Sequence, residues 1–147
     1  GEFADTIDKL VALAVLMPIV AGMGGNAGTQ VLALMVRGLA LGQVGAANVR
    51  TLLWKEARVA LLNGVVLGTL LALIVLAWFH SVGLSIVIAT ALTANLLFAA
   101  VAGVLVPVTI KRFGYDPALA SGIFLTTVTD VMGFFTFLGL ATIILLR

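Results

Sequence analysis

Residues 119–146 read LASGIFLTTVTDVMGFFTFLGLATIILL, and this run decides the fold because Asp130 is its only charged residue. A membrane-spanning helix needs about 20 consecutive, mostly apolar residues. The run therefore predicts a helix that crosses a bilayer, with one carboxylate near its middle.

Three further apolar runs precede it, at about 11–41, 59–79 and 84–110. The chain is 63% hydrophobic and 10% charged, with a mean hydropathy of +1.28, whereas soluble domains carry about 25% charged residues. The first run is too long for a simple span and contains Pro18 and the Gly-rich segment 24–30, which favour a broken or kinked helix. We predict an all-α integral membrane protein with four transmembrane helices, the first broken or kinked at its Gly-rich motif.

The composition excludes several classes of function. With 8 basic and 6 acidic residues the net charge is only +2, so nothing indicates a nucleic-acid surface. The chain has no cysteine, which removes disulfides, thiolate metal sites and cysteine nucleophiles. Serine, histidine and carboxylate side chains do not form a plausible triad. We therefore predict no catalytic residues, no bound cofactor and no enzymatic activity.

The connections between the runs indicate an orientation in the membrane. Residues 43–58 have the pattern of an amphipathic interfacial helix, with Trp54 at the depth of the lipid headgroups. Residues 43–58 and 111–117 hold most of the Lys and Arg residues. Since basic loops stay on the cytoplasmic side, we place both connections in the cytoplasm and both ends of the chain outside the plasma (inner) membrane.

Asp130 is the first candidate for chemistry, since a carboxylate at the bilayer centre costs about 2.5–3.5 kcal/mol on insertion scales. Helical spacing places it in a narrow polar stripe with Thr126, Gly122 and Gly133. In one interpretation the stripe faces a watery path and Asp130 binds a cation. In the other, the carboxyl is protonated or bonds neighbouring threonines at a helix interface. We favour the first, because intramembrane carboxylates are functional by default.

The Gly-rich segment 24–30 is the second candidate. Its glycines permit the close approach of helices or of a backbone carbonyl, and Asn26, Thr29 and Gln30 offer uncharged oxygen ligands for a cation. The same glycines are typical of a small-residue contact between helices. Composition alone leaves both interpretations open.

The remaining polar and small residues favour structural roles. His80 is a lone histidine in an outer turn and is predicted to be a surface residue. Asn63 and Asn95 are predicted to form hydrogen bonds across helices, as amides in membrane bundles often do. Gly64 and Gly68 form a small-xxx-small pattern, which is typical of helix packing.

Two segments resemble the transmembrane domain of the MgtE family of magnesium channels. They are PIVAGMGGNAGTQ at 18–30 and TVTDVMGF at 127–134, and shorter matches are WKE at 54–56 and GYDPA at 114–118. The resemblance covers essentially everything after residues 1–3, which read as a cloning remnant.

The resemblance implies a homodimer with its pore between protomers, and five membrane helices per natural chain after cytosolic regulatory domains that include paired CBS domains. Residues 4–147 would then be the pore domain without its first membrane helix. Asp130 would bind the transported Mg²⁺, and possible further cargo is Co²⁺, Ni²⁺ or Mn²⁺. Thr126 would contribute to the same site. The expected pore-lining residues are Gly22, Gly25, Asn26, Thr29, Gly122 and Gly133. Gly122 and Thr29 differ from the asparagines that members of the family can have at these two positions.

The leading hypothesis for function is therefore a passive magnesium channel with hydrated ion bound at Asp130 near the dimer axis. One alternative is a cation-coupled secondary carrier, since broken helices also mark transporter sites. The other is an anchor or dimerisation module of the membrane that transports nothing itself.

Overall fold

The structure, a computed structural model, describes residues 2–145 apart from the side chains of Glu2 and Thr6. Within that range the chain forms four α-helices and no strand: α1 (Glu2–Ala40), α2 (Ala46–Phe79), α3 (Val82–Arg112) and α4 (Pro117–Ile144). All four are long and apolar enough to cross a membrane. The predicted all-α fold of a multi-pass membrane protein is therefore confirmed. Gly1 of the predicted cloning remnant and the chain from residue 146 onward lie outside the described residues.

Helix α1 runs without interruption through the Gly-rich segment, so the break or kink predicted there is not shown. Among the described glycines, only Gly42 and Gly114 have positive φ, and both lie in loops. The glycines of α1 therefore keep a helical backbone. Several of them allow neighbouring helices to approach closely, which was one of the two interpretations of the segment.

Helix α2 joins the predicted interfacial segment to the second span in one continuous helix. Its 34 residues correspond to about 51 Å at about 1.5 Å per residue, whereas the hydrocarbon core is about 30 Å thick. Trp54 is 64% exposed in the first half of this helix. The helix is therefore long enough to cross the core and to extend into the interface.

Short loops with specific capping residues connect the helices. His80 ends α2 in the left-handed conformation, with φ of 53°, and it is exposed as predicted. The Ser81 hydroxyl then accepts a hydrogen bond from the Leu84 amide (3.2 Å) at the start of α3. At the start of α4, an Asp116 carboxylate oxygen accepts from the Ala118 amide (3.0 Å). Such caps satisfy amides that have no partner inside the helix.

Helix α3 is the centre of the bundle. It packs against α1, α2 and α4, and α1 also packs against α4, whereas α2 rests almost entirely on α3. A Cβ atom at Gly64 would lie 2.9 Å from Thr93 Cα, and one at Gly68 would lie 3.2 Å from the Ala89 main-chain oxygen. The predicted packing role of Gly64 and Gly68 is therefore confirmed, with α3 as the partner.

The two ends of the bundle differ in charge. At one end, Lys111 Nζ donates a hydrogen bond to the main-chain oxygen of Leu39 (3.1 Å), which joins the C-terminal ends of α3 and α1. The opposite end has Asp5, Asp8 and Lys9 beside the turn from α2 to α3. Most described basic side chains therefore lie at the end that carries the loops 41–45 and 113–116.

Candidate ion-binding site

Asp130 lies beside the most deeply buried face of α4. The buried positions of this helix recur at every fourth residue and are Ser121, Leu125, Thr129, Gly133, Phe137 and Ala141. Asp130 follows the fully buried Thr129 and is itself half-buried. The carboxylate therefore stands at the border between the interior of the bundle and its outer surface.

The face of α4 next to Asp130 packs against the Gly-rich segment of α1. A Cβ atom at Gly25 would lie 3.8 Å from Thr129 Oγ1, and one at Gly28 would lie 3.1 Å from Leu125 Cδ1. We call this contact between α1 and α4 the seam. The close approach at Gly28 confirms a small-residue contact, which was one of the two interpretations of the segment.

Helical geometry places Asp130 on the flank of the seam that faces away from α3. A helix turns by about 100° per residue, so the residues before and after a seam residue lie on opposite flanks. Phe124 and Val128, which precede Leu125 and Thr129, line a groove shared with α3. Thr126 and Asp130, which follow the same two residues, therefore lie on the other flank.

The corresponding flank of α1 carries three of the predicted pore residues. Gly24 faces Asn95 of α3, whereas the next residue, Gly25, faces α4. Gly22 and Thr29 are exposed and lie three residues before and four residues after Gly25. We call the set on the two flanks the seam stripe; its members are Gly22, Gly25, Thr29, Gly122, Thr126 and Asp130.

Two hydroxyl groups of the seam stripe have the same hydrogen-bond geometry. Thr29 Oγ1 donates to the Gly25 main-chain oxygen (2.7 Å), and Thr126 Oγ1 donates to the Gly122 main-chain oxygen (2.8 Å). Each hydroxyl thus uses its one proton within its own helix, while its lone pairs stay available. Both oxygens can therefore accept a hydrogen bond from a water molecule or contact a cation.

The glycines near the site fall into two groups. A Cβ atom at Gly22 or Gly122 would meet nothing within 4 Å. At Gly24 it would overlap Asn95 Nδ2, and at Gly133 it would lie 2.9 Å from the same atom. Glycine inside a helix costs about 1 kcal/mol of stability relative to alanine, so each of these glycines needs a reason. Packing within the protomer supplies the reason for Gly24 and Gly133 but not for Gly22 or Gly122.

Of the other predicted site residues, Gly133 lies apart from the seam stripe, whereas Asn26 lies beside it. Gly133 is buried against Asn95 and Ala21. The polar stripe predicted around Asp130 therefore consists of a buried residue, Gly133, and of residues on the outer flank. Asn26 is exposed and follows Gly25, so it lies on the flank of α1 that faces away from α3, and Gln30 is exposed next to Thr29.

Asn95 lies close to the seam, and sequence reasoning did not connect this polar residue with the site. Its side chain is fully buried, and Nδ2 donates to the Val20 main-chain oxygen (2.9 Å). The predicted bond across helices is thus confirmed for Asn95, whereas Asn63 is exposed on α2. Among the described atoms Asn95 Oδ1 has no partner. The sequence feature that could have identified this position is an amide side chain in the middle of an apolar run.

One protomer offers a sparse set of ligands. The described side chains include no group of three or more His, Cys, Asp or Glu that would hold a metal ion. The seam stripe supplies one carboxylate and two hydroxyl oxygens. Such a set can interact with a hydrated cation but cannot enclose a dehydrated one, because Mg²⁺ requires six octahedral oxygens.

The comparisons with known proteins agree on one family. The family profile MgtE, described as a divalent cation transporter, matches residues 17–140. The magnesium transporter MgtE of Bacillus subtilis is 34% identical over 140 residues, which is 95% of this chain and 31% of that protein. The magnesium transporter MgtE of Enterococcus faecalis is 33% identical over 142 residues, or 97% of this chain and 31% of that protein.

The magnesium transporter MgtE of Thermus thermophilus is 34% identical over 143 residues, which is 97% of this chain and 32% of that protein. The chain thus spans about a third of the length of the relatives it matches. The region that the family profile matches contains the parts of α1 and α4 that form the seam.

Proposed function

Because this chain belongs to the MgtE family of divalent cation transporters, we propose that it forms part of a passive magnesium channel in which Asp130 binds the hydrated ion. The family is one of transporters and not of enzymes, in agreement with the sequence analysis. The observation that carries the proposal is the place of Asp130 in a polar stripe on the outer flank of the seam. The choice of magnesium is supported by the names of the relatives.

The seam stripe is a polar surface on the outside of the protomer within the membrane. A second copy of the chain packed against it would explain this polarity, because the stripe would then not face lipid. A carboxylate that faced lipid would cost about 2.5–3.5 kcal/mol or more. A two-fold interface places the same surface patch of both copies together. Asp130 of each copy would then face a shared, water-filled path, and the open space beside Gly22 and Gly122 would become part of that path.

The ligands suit an ion that keeps its water shell. Mg²⁺ releases its water reluctantly and usually binds through one or two carboxylates with several waters retained. Two copies of Asp130, with Thr29 and Thr126 as acceptors, would contact such a shell from two sides. Two carboxylates attract a divalent cation, and the retained water keeps binding weak enough for the ion to leave.

The proposal of a channel rather than a carrier is supported by the continuity of α1. The argument for a coupled carrier was a helix broken near the site, and α1 is continuous from Glu2 to Ala40. A channel would conduct Mg²⁺ along the membrane potential, which acts with about 2.3 kcal/mol per charge per 100 mV. The flux would be electrogenic and would need no second ion.

Several parts of this proposal concern the whole natural protein. We propose a homodimer in the inner membrane, with the loops between α1 and α2 and between α3 and α4 in the cytoplasm. The cytosolic regulatory domains implied by the family would belong to the same natural chain. Co²⁺, Ni²⁺ and Mn²⁺ are proposed as further cargo, because they also form octahedral aqua ions of similar charge.

The test is Mg²⁺ entry into liposomes that contain this chain and a fluorescent Mg²⁺ indicator. A potassium diffusion potential, negative inside, should increase the rate of entry. Replacing Asp130 by Asn should lower the rate at least tenfold, because it removes both carboxylates of the proposed pair. The matched control is Asp8→Asn, which removes an exposed carboxylate at the opposite end of the bundle and should leave the rate unchanged.

Two results would contradict the proposal. Entry that is absent from correctly folded wild-type protein would favour the anchor or dimerisation module. Entry that depends on a gradient of protons or sodium, and not on the potential, would favour the carrier.

A further inference from the structure

A second surface feature lies on the side of α4 that faces α3, away from Asp130. It is a groove of about 620 Å³ between the C-terminal part of α3 and the N-terminal part of α4. Its walls are almost entirely apolar and consist of Leu105, Val106, Thr109, Ile110, Phe113, Tyr115, Ala120, Phe124 and Val128. This volume lies within the range of about 300–1,000 Å³ of pockets that bind small ligands.

The groove ends beside an unusual amount of exposed aromatic and basic surface. Phe113 is 74% exposed and Tyr115 is 72% exposed in the loop that follows α3. Tyrosine is enriched at the level of the lipid headgroups. The groove therefore starts at the predicted membrane interface and continues toward the hydrocarbon core.

The two basic residues at the end of α3, Lys111 and Arg112, both line a small pocket beside the loop between α1 and α2. Lys111 is directed to α1, because its Nζ donates to the Leu39 main-chain oxygen. Arg112 is exposed and lies three residues after Thr109 and seven after Leu105, which is close to two full turns. Arg112 therefore lies between that pocket and the groove, on the side of α3 that carries Leu105 and directly before Phe113, which lines the groove.

We propose that this groove binds one acyl chain of an anionic phospholipid, and that the phosphate of the lipid contacts Arg112. The apolar walls match an acyl chain, and the guanidinium is a preferred partner of phosphate. The one acidic side chain of the loop, Asp116, is bound to the Ala118 amide at the N-terminus of α4. Its charge is therefore partly compensated by that helix end.

Charge complementarity favours a lipid over a second copy of the chain as the occupant. A two-fold axis through the groove would bring Arg112 close to Arg112 of the other copy. Such like charges repel each other, whereas an anionic headgroup neutralises them. The lipid site goes beyond the proposed transport function and does not depend on it.

The test measures lipids that remain bound to the detergent-purified chain in native mass spectrometry, with phosphatidylglycerol or phosphatidylcholine added in equal amounts. We expect one phosphatidylglycerol molecule to be retained at least fivefold more often than phosphatidylcholine. Arg112→Gln should abolish this preference. Ala120→Trp, which fills the groove, should remove the bound lipid altogether.

Two matched controls belong to this experiment. Arg58→Gln removes an exposed cation of α2, and Ala118→Trp places the same bulky side chain at an exposed position of α4 that does not line the groove. Both variants should retain phosphatidylglycerol as the wild type does. Equal retention of the two lipids by the wild type would overturn the proposal. An altered oligomeric state of Ala120→Trp with unchanged lipid retention would also overturn it.

A measurement on the wild-type chain tests the lipid site even where a variant fails to fold. Phosphatidylglycerol with a spin label on its acyl chain should broaden the amide resonances of Thr109 and Phe124 more than those of Val65 and Ile74, which are exposed on α2. Equal broadening at all four residues would contradict a specific site.

Discussion

Asn95 Nδ2 donates a 2.9 Å hydrogen bond to the main-chain oxygen of Val20, and this bond joins the central helix α3 to α1. The amide lies between Gly24 of α1 and Gly133 of α4, where neither position has room for a Cβ atom. The bond therefore lies where three helices meet. Gly133 is three residues after Asp130, so the contact also holds the helix that carries the proposed ion ligand.

Replacing Asn95 by Ala should destabilise the bundle by about 1–2 kcal/mol. A hydrogen bond across membrane helices contributes about 0.6 kcal/mol on average and at most about 1.7, and the lost side chain leaves a cavity. Removal of the unpartnered Oδ1 acts in the opposite direction, but the cavity among three helices should outweigh it. Unfolding by SDS in mixed micelles measures the difference. Asn63→Ala is the matched control, because Asn63 is exposed; equal stability of the two variants would contradict the account.

Two glycines of the same motif should respond differently to alanine. Gly24→Ala should cost about 1–3 kcal/mol, because the new Cβ atom overlaps the buried Asn95 amide. Gly22→Ala should leave stability unchanged or raise it by up to about 1 kcal/mol, since Gly22 has open space and alanine favours a helix. The same variant should lower Mg²⁺ entry into liposomes, because it narrows the proposed path.

The double variant Gly24→Ala with Asn95→Ala provides an internal check on this explanation. The second substitution removes the amide that the new Cβ atom meets, so the two costs should not add. Costs that add fully would show that Gly24 matters for some reason other than its contact with Asn95.

Thr126 and Thr127 form a natural pair for testing the hydroxyl of the seam stripe. Thr126 Oγ1 donates to Gly122 and Thr127 Oγ1 donates to Ile123, both at 2.8 Å and both in exposed positions. Thr126→Val should weaken Mg²⁺ binding by about 2- to 10-fold, the effect of losing one hydrogen bond. Thr127→Val should have no such effect, because its side chain lies outside the stripe. Isothermal titration of both variants makes the comparison, and an equal loss in both would contradict the assignment of Thr126.

The proposed orientation can be measured because the chain has no cysteine of its own. Ala47 lies at the basic end and is exposed, and Val82 lies at the opposite end and is 65% exposed. In intact cells, an impermeant thiol reagent should label Val82→Cys and not Ala47→Cys. The reverse pattern would contradict the placement of the basic loops in the cytoplasm.

Much of this fold follows from the sequence alone, for identifiable physical reasons. Long apolar runs, separated by charged residues or by the short turn at His80 and Ser81, determine four helices, since a bilayer requires about 20 apolar residues for each span. The sequence did not reveal that α1 is continuous, because a Gly-rich segment fits both a broken helix and a close helix contact. The uninterrupted helix and the close contacts of Gly24 with Asn95 and of Gly28 with Leu125 distinguish the two.

The candidate site was predictable in part. Asp130 is identifiable because a charge inside an apolar run is costly, and Thr126 follows from helical spacing. The same spacing grouped Gly133 with them, although Gly133 is buried against α3 and Gly122 faces open space. Spacing alone gives the residues of one helix face, whereas the flank that each of them occupies depends on where α1 and α3 pack.

The most direct test of the ion site is a Mg²⁺ titration of the isotope-labelled chain in a bilayer mimic, monitored residue by residue. We expect saturable shifts at Asp130, Thr126 and Gly25, which vanish in Asp130→Ala and persist in Asp8→Ala. A wild-type chain that is folded and yet has no localised response would contradict the claim that the seam stripe binds magnesium.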